Sequence, residues 1–480
     1  MFKPVCNVRL FLAAAAMLAF SHSVLAQEES GAIDNAAGEV AEFETLAPGE
    51  GEAFPVSEDG YCLATSPTLT GDWLGHRSSL QESGITFAGR STHFGFGVNG
   101  GINSPLAAAL LPLGMGDTFK YTGRGEYDLI FDLEKFGGLP YGKLLVRAEH
   151  WYGEFGNVSL HTGALTPAVF PALLPPVMDE PGVPYITNFL LTQPLSEKLI
   201  VFAGKKDVLG AADQDIFAGG DGTSQFVNQA FIANPAFLLA LPYSGFTAGA
   251  LLPQSWGAVS TFVYDPKNRT TDFFQLDDLF AEGVIVGGQV QVDTDFFSLP
   301  GEHHVGGIWK HLEMTDLAFA EPPPGEYPYE PVPGFATLPD AYTIYYGFDQ
   351  YLGTFPGERP GVGLKKNPRG WGLFGRASIS DGNPTPLRYF LSLGLGGNSL
   401  LREHRDNWGL AWYYIGASNE FGPLPRALFD PQDGTGVECF YNIQATRWLN
   451  VTPDVQYILP GNQAIAEDAF VYGLRVNMTL

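Results

Sequence analysis

The segment Phe470–Leu480 alternates in polarity residue by residue. Phe470, Tyr472, Leu474, Val476, Met478 and Leu480 are apolar, whereas Val471, Gly473, Arg475, Asn477 and Thr479 form a mostly polar set. Successive side chains of a strand point to opposite faces, so this strand has one apolar face and one largely polar face. A chain that stops on such a strand behind an export leader is expected to be a β-barrel closed by its last strand, in a Gram-negative-type outer membrane.

The leader is residues 1–26. Lys3 and Arg9 form a basic start, Leu10 to Phe20 an apolar run, and Val24 and Ala26 the small residues before a cleavage point at Gln27. The apolar run is too short for a membrane-spanning helix, which needs about 20 residues. A lipid-modified leader is not expected, because the one nearby cysteine, Cys6, lies in the basic start.

Acidic charge dominates the chain beyond the leader: the whole sequence has 26 Lys and Arg against 52 Asp and Glu, and the leader carries two of the bases and none of the acids. No nucleic acid is expected as a partner, since phosphate binding requires a basic footprint. Residues 27–60 hold ten carboxylates, no Lys or Arg, and little periodic apolar content. They are expected to be a disordered acidic arm, most simply a tether. Cys62 and Cys439 survive processing; a disulfide is permitted in the periplasm, but their positions alone do not support one.

No run of 18 apolar residues occurs after the leader, and the nearest approach, Phe237 to Leu252, is broken by Pro242 and Ser244. Membrane insertion therefore has to use strands. With 59 glycines, 36 phenylalanines, 20 tyrosines and 16% charged residues, the composition suits an all-β chain with many turns. From Phe119 the odd positions Phe119, Tyr121, Tyr127, Leu129, Phe131 and Leu133 oppose Lys120, Arg124, Glu126, Asp128, Asp132 and Glu134. After a turn at 135–142, Leu144, Val146, Ala148, His150 and Tyr152 oppose Lys143, Leu145, Arg147, Glu149 and Trp151, which predicts a hairpin. Weaker alternation recurs at Val284–Val292, Tyr342–Phe348 and Trp371–Ile379. A soluble sandwich also alternates; strand length, aromatic strand ends and the leader favour the transmembrane barrel. At roughly 25 residues per strand and loop, the remainder predicts about 16 antiparallel strands around an aqueous channel.

Specific segments resemble the carbohydrate-selective porin family of OprB type. These are Leu69-Thr70-Gly71-Asp72-Trp73-Leu74-Gly75-His76-Arg77, Leu80, Gly84-Ile85-Thr86-Phe87, Asp132-Leu133-Glu134-Lys135, Gly137-Gly138 and Gly204-Lys205. They continue in order with Gln225-Phe226-Val227-Asn228, Ala233-Asn234-Pro235-Ala236, Gly372 to Asp381, Glu438, Pro453 to Tyr457 and Gly473 to Val476. Each motif is weak alone, and their order from about residue 65 onward is specific. The resemblance implies a 16-stranded outer-membrane barrel, with loops folded inward to narrow it, through which monosaccharides or small oligosaccharides diffuse passively to the periplasm. Two features depart from the pattern: the chain ends on Leu480 where such barrels usually end on an aromatic residue, and Ala318–Leu338, with Pro322-Pro323-Pro324, reads as an inserted surface loop.

The substrate pathway is expected on the lumen-facing sets: Arg124, Glu126, Asp128, Arg147, Glu149, Trp151, Arg376 and Arg475. Mixed charges can trade hydrogen bonds with sugar hydroxyls at little net cost, whereas a ring of one sign selects ions. Salt bridges that only brace the wall are an equal reading of Arg124, Glu126, Arg147 and Glu149. Trp151 could stack on a sugar ring or sit in an interfacial girdle. Residues Asp72 to Gln81 predict a short helix capped by Thr70 and stopped by Gly84, at the periplasmic end or inside the barrel as a plug. Asp72, Trp73 and Arg77 belong to it, and Arg77 is expected to meet lumen carboxylates.

Enzyme signatures are thin, and no catalytic residue, cofactor or metal is expected. His303 and His304 are neighbours that face opposite sides of a strand. Asp213, Asp215 and Asp221 lack the calcium-loop spacing and its closing Glu, and Gly394-Leu395-Gly396-Gly397 is too short for a phosphate loop. The expected partners are small sugars and outer-membrane lipid, with homo-trimer and monomer both open. A general or ion-preferring porin, or a non-transporting envelope or adhesive barrel, stays as the alternative function.

Overall fold

The computed structural model describes residues 66–480 except 106–116, 155–157, 178–179, 210–215, 319–335, 356–367, 403–404, 424–425 and 428–429. The leader, the acidic arm, Cys62, Asp213, Asp215 and nearly all of the predicted insertion lie outside the described residues.

Sixteen antiparallel strands close on themselves, each bonded to its sequence neighbours, with the first paired to the last. The first eight are β1 Ile85–Ile102, β2 Thr118–Asp132, β3 Lys143–Gly153, β4 Tyr185–Ser196, β5 Leu199–Asp207, β6 Ser244–Gln254, β7 Gly257–Tyr264 and β8 Gly283–Phe296. The rest are β9 Leu299–Thr315, β10 Thr337–Thr354, β11 Gly370–Ser380, β12 Leu387–Asn398, β13 Asn407–Ala417, β14 Gly434–Gln444, β15 Leu449–Leu459 and β16 Ala466–Thr479. The expected hairpin is β2 and β3, with Asp128 opposite Arg147 and Glu126 opposite Glu149. The weaker alternations fall on β8, β10 and β11.

Alternation places the outer face as predicted. Tyr342, Ile344 and Tyr346 on β10, Leu410 and Trp412 on β13, and Phe470, Tyr472 and Leu474 on β16 are all exposed. Such a belt is intolerable in water and suits hydrocarbon. At one end β4–β5, β6–β7 and β8–β9 are joined by two-residue turns, and at the other end lie long connections such as 154–184, 208–243 and 265–282. Short turns mark the periplasmic side and long loops the outside.

The lumen holds protein rather than only polar side chains. The described parts of the connections 154–184 and 208–243 fold inward, and three buried apolar clusters join them to the wall. Phe237 meets Tyr345 with ring centroids 4.7 Å apart, Phe226 meets Phe440 at 4.8 Å, and Phe231 meets Tyr413 at 5.7 Å. Edge-on aromatic pairs of this kind add about 0.5–1.5 kcal/mol each beyond their area. Gly101, at φ +77°, shows how close wall and loop come: a Cβ there would lie 2.1 Å from the His161 carbonyl oxygen, so only glycine fits.

The N-terminal helix differs from expectation at its start. A single 3-10 turn, Trp73–Gly75, leads into helix α1, His76–Glu82, whose N-cap is Gly75 at φ 91°, not Thr70. Asp72 does the capping work from further back, its Oδ1 accepting the Ser78 amide at 2.8 Å and the Ser78 hydroxyl at 2.7 Å. Gly84, at φ +95°, follows the helix as predicted. The helix packs on β1 at the periplasmic end, and most of its side chains are exposed.

Candidate functional site

On β2 and β3 the polar phase points inward and forms a charged network in two neighbouring groups. Arg124 donates through Nε and Nη2 to Glu149 Oε2 at 3.0 and 2.6 Å, and pairs with Glu126 at 3.0 Å. Arg147 makes a two-pronged contact with Asp128 at 2.7 and 2.9 Å, and donates to Asp207 at 3.2 Å. Fork-to-carboxylate pairs are the strongest and most directional of charge-assisted bonds. The Tyr243 and Thr187 hydroxyls each donate to Glu149 at 2.6 Å, and the Asn188 amide donates to Asp207 at 2.6 Å. The register of β3 and β4 shifts at Arg147 and Ala148, which lets the consecutive residues Thr187 and Asn188 both serve this network.

Arg90, on β1, extends the network, although nothing in the sequence pattern marks it. It donates to Glu126 at 2.9 Å, to the Thr223 hydroxyl at 2.6 Å, and to Asp221. Its signal is masked because β1 alternates in the opposite sense: Phe94, Phe96 and Val98 face the lumen, buried under the inward loops. Tyr243, Asp207 and Asp221 are likewise unmarked as partners, since they sit far from β2 in sequence.

Arg376 and Arg475 face inward but serve a loop. Arg376 donates to the Phe231 carbonyl at 2.9 Å. Arg475 donates to the carbonyls of Gly222 and Gln225 at 2.7 and 2.6 Å. Glu438 accepts the backbone amides of Val227 and Asn228 at 2.6 and 2.9 Å. Asn228 in turn bonds Gln456 at 3.0 Å, and Gln456 bonds the Ala168 carbonyl at 2.8 Å. Asn228 and Asn234 cap the short helices α2, Gln229–Ile232, and α3, Pro235–Leu238. The sequence stretches Gln225–Asn228 and Ala233–Ala236 are therefore where wall and inward loop are fastened together.

Trp151 is 2% exposed, and its indole N–H donates to the Ala172 carbonyl at 3.0 Å. It lies inside the first apolar cluster, which covers its ring with residues of the inward loops. The periplasmic set comes together differently from expectation. Arg77 donates to Thr68 Oγ1 at 3.1 Å and to the main-chain oxygens of Leu480 and Phe87, both at 2.9 Å. Its guanidinium also lies 5.3 Å from the Trp73 ring centroid. The expected contact of Arg77 with lumen carboxylates is thus replaced by a tie between the N-terminal segment, β1 and the end of the chain.

His303 bonds Tyr346 on the outer face at 2.7 Å while His304 is buried inward, as neighbours on a strand must be. Among the described residues no group of three or more His, Cys, Asp or Glu side chains is placed to hold a metal. Cys439 is exposed on the outer face.

The sequence profile of the carbohydrate-selective porin, OprB family, matches residues 117–480. No curated protein matches the chain in sequence. Among solved structures, the high-pH structure of Pseudomonas putida OprB is 18% identical with a TM-score of 0.69, covering 88% of this chain and 100% of that one. The low-pH structure of the same protein is 15% identical with a TM-score of 0.49, covering 87% and 99%. The first of these likenesses is one of fold. With a profile match over most of its length and a closed 16-stranded barrel, the chain belongs to the carbohydrate-selective OprB family of porins in the bacterial outer membrane.

Proposed function

We propose that small neutral sugars pass by diffusion along the seam between the inward loop 208–243 and the wall of β1–β3, where Arg90 and Asp221 meet them. Exposure is the observation that carries this reading. The Arg90 and Asp221 side chains keep 12% and 20% of their accessible surface, whereas Arg124, Glu126, Asp128, Glu149 and Asp207 keep none and Arg147 keeps 3%. A guanidinium and a carboxylate side by side offer donors and acceptors to sugar hydroxyls without a net field that would favour ions. Contacts exchanged for those of water hold a sugar weakly enough to release it. The buried charges behind the pair brace the wall, and Arg376, Glu438 and Arg475 set the height of the loop. No covalent step is involved.

Liposome swelling tests this. Proteoliposomes are challenged with sugars of rising size, amino acids and salts at matched osmolarity, using wild type and Arg90→Ala. Faster entry of small sugars than of the other solutes, with discrimination reduced in Arg90→Ala, supports the reading. Equal entry of all solutes identifies a general pore, and no swelling by correctly folded protein identifies a non-transporting barrel.

A further inference from the structure

The connection between β7 and β8 folds the other way, onto the outside of the barrel. Phe189, Lys205 and Phe246 are register partners on adjoining strands β4, β5 and β6. They share the outward phase with Ala248, which is exposed, yet Phe246 is 7% exposed and Lys205 is fully buried. Their cover is residues 265–282. The Phe274 ring packs edge-on against Phe189 and Phe246, with centroids 5.5 and 5.4 Å away. Arg269 lies 5.6 Å from the Phe246 ring centroid. The Lys205 ammonium donates to the carbonyls of Ile186 and Asp272, each at 2.6 Å. Ion pairs fix the loop's shape: Arg269 with Asp265 at 2.6 Å and with Asp278 at 2.9 Å, and Lys267 with Asp278 at 2.5 Å.

The far side of this loop is apolar. Phe273, Phe274, Leu276 and Phe280 are 59%, 46%, 46% and 41% exposed. The wall beneath it is also the shortest in the barrel, with nine residues in β5 and eight in β7. At about 3.3 Å per residue and a tilt near 40°, eight residues rise only about 20 Å, against an apolar belt about 25 Å tall. An outward lysine in that belt is disfavoured if it is bare.

We infer that residues 265–282 are a lipid-facing clasp: they cover Lys205 and complete the belt over β4–β7 by placing Phe273, Phe274, Leu276 and Phe280 against the acyl chains of the outer leaflet. Hydrocarbon is the occupant that fits, because the apolar side chains continue the outward band while the loop's cations, Lys267 and Arg269, are paired with Asp265 and Asp278, and its further Asp272, Asp277 and Glu282 leave it net acidic, unsuited to phosphate headgroups.

Nitroxide labels on the full chain in liposomes test the clasp. Phe273→Cys and Leu276→Cys are made with Cys62→Ser and Cys439→Ser, and wild-type Cys439, on the outer face, is the lipid reference. Glu420→Cys, on an exposed loop, is the water reference. Labels at 273 and 276 are expected to match Cys439, colliding readily with oxygen and several-fold less with an aqueous nickel chelate than the label at 420. Chelate access equal to that at 420 overturns the clasp, as does shielding from both reagents with spin–spin broadening, which would mean a second copy covers the loop. Leu276→Asp gives an independent check without a label. Its unfolding midpoint in liposomes should fall by several degrees while that of Glu420→Ala stays, and an unchanged midpoint overturns the proposal.

Discussion

Glu438, on β14, accepts the backbone N–H of Asn228 at 2.9 Å across 210 residues of sequence, and its other oxygen takes the amide of Val227 at 2.6 Å. One carboxylate thus satisfies two consecutive amides at the start of α2, where a helix leaves donors without intrahelical partners. Both amides are buried inside the barrel, so a lost acceptor leaves them without water in compensation.

Replacing Glu438 by Ala is expected to cost about 1–3 kcal/mol for each amide left unsatisfied and to let the loop 208–243 lift from the wall. Glu438→Gln, which keeps one acceptor oxygen, should cost less. Single-channel conductance should rise and sugar-size cutoff widen in Glu438→Ala. Unchanged conductance in folded protein would mean that the aromatic pairs alone hold the loop.

Removing Arg147 takes away the cation that pairs with Asp128 and Asp207, both fully buried. Breaking a buried pair from one side typically costs about 3–5 kcal/mol. Arg147→Met is therefore expected to lower barrel stability by that order in urea unfolding from micelles. Arg147→Lys should fall between it and wild type, since an ammonium keeps the charge but cannot reproduce the two-pronged geometry.

Trp151→Phe removes one indole hydrogen bond and keeps an aromatic ring in the cluster. The expected loss is about 1 kcal/mol of stability, with sugar entry rates unchanged because the ring is covered. A marked fall in sugar flux with amino-acid flux intact would instead make Trp151 a stacking platform for permeating sugar.

Acid should leave the outer clasp closed longer than an ordinary carboxylate pair would allow. The hydrogen bond from Lys267, with Arg269 beside it, holds the Asp278 carboxyl below its usual range. A depressed folded value means that its contribution is fully present above the unfolded carboxylate range and disappears only as pH falls through the depressed value. Acid titration of a label at Leu276→Cys should therefore show the loop loosening below the ordinary carboxylate range, and Asp278→Asn should show a looser loop already at neutral pH. A transition at the ordinary range would show that the pair does not hold the loop.

The barrel itself was legible because lipid on the outer face imposes a period-two pattern on most strands. The sets beginning at Phe119, Leu144, Val284, Tyr342, Trp371 and Phe470 each fell on a strand with the expected outer face. The inner face was legible only where it stays charged, as on β2 and β3. On β1, and on the stretch from β10 to β14, lumen-side residues such as Phe94, Tyr345, Tyr413 and Phe440 are aromatic because inward loops cover them. Alternation cannot distinguish a side chain facing lipid from one facing a packed loop.

Residue types and spacing by themselves pointed to a chain that crosses a membrane with strands, to about 16 of them, and, where the inner face stays charged, to the side chains that turn away from lipid. Those outcomes follow from local geometry, since a strand's two faces and its length are properties of consecutive residues. Tertiary structure alone decided that Arg376 and Arg475 hold a loop, that Arg77 ties strand ends, that Trp151 is covered, and that Arg90 and Asp221 meet at the seam. Each of these depends on contacts between residues tens to hundreds of positions apart, formed only once closure of the barrel brings β1 against β16 and encloses the loops.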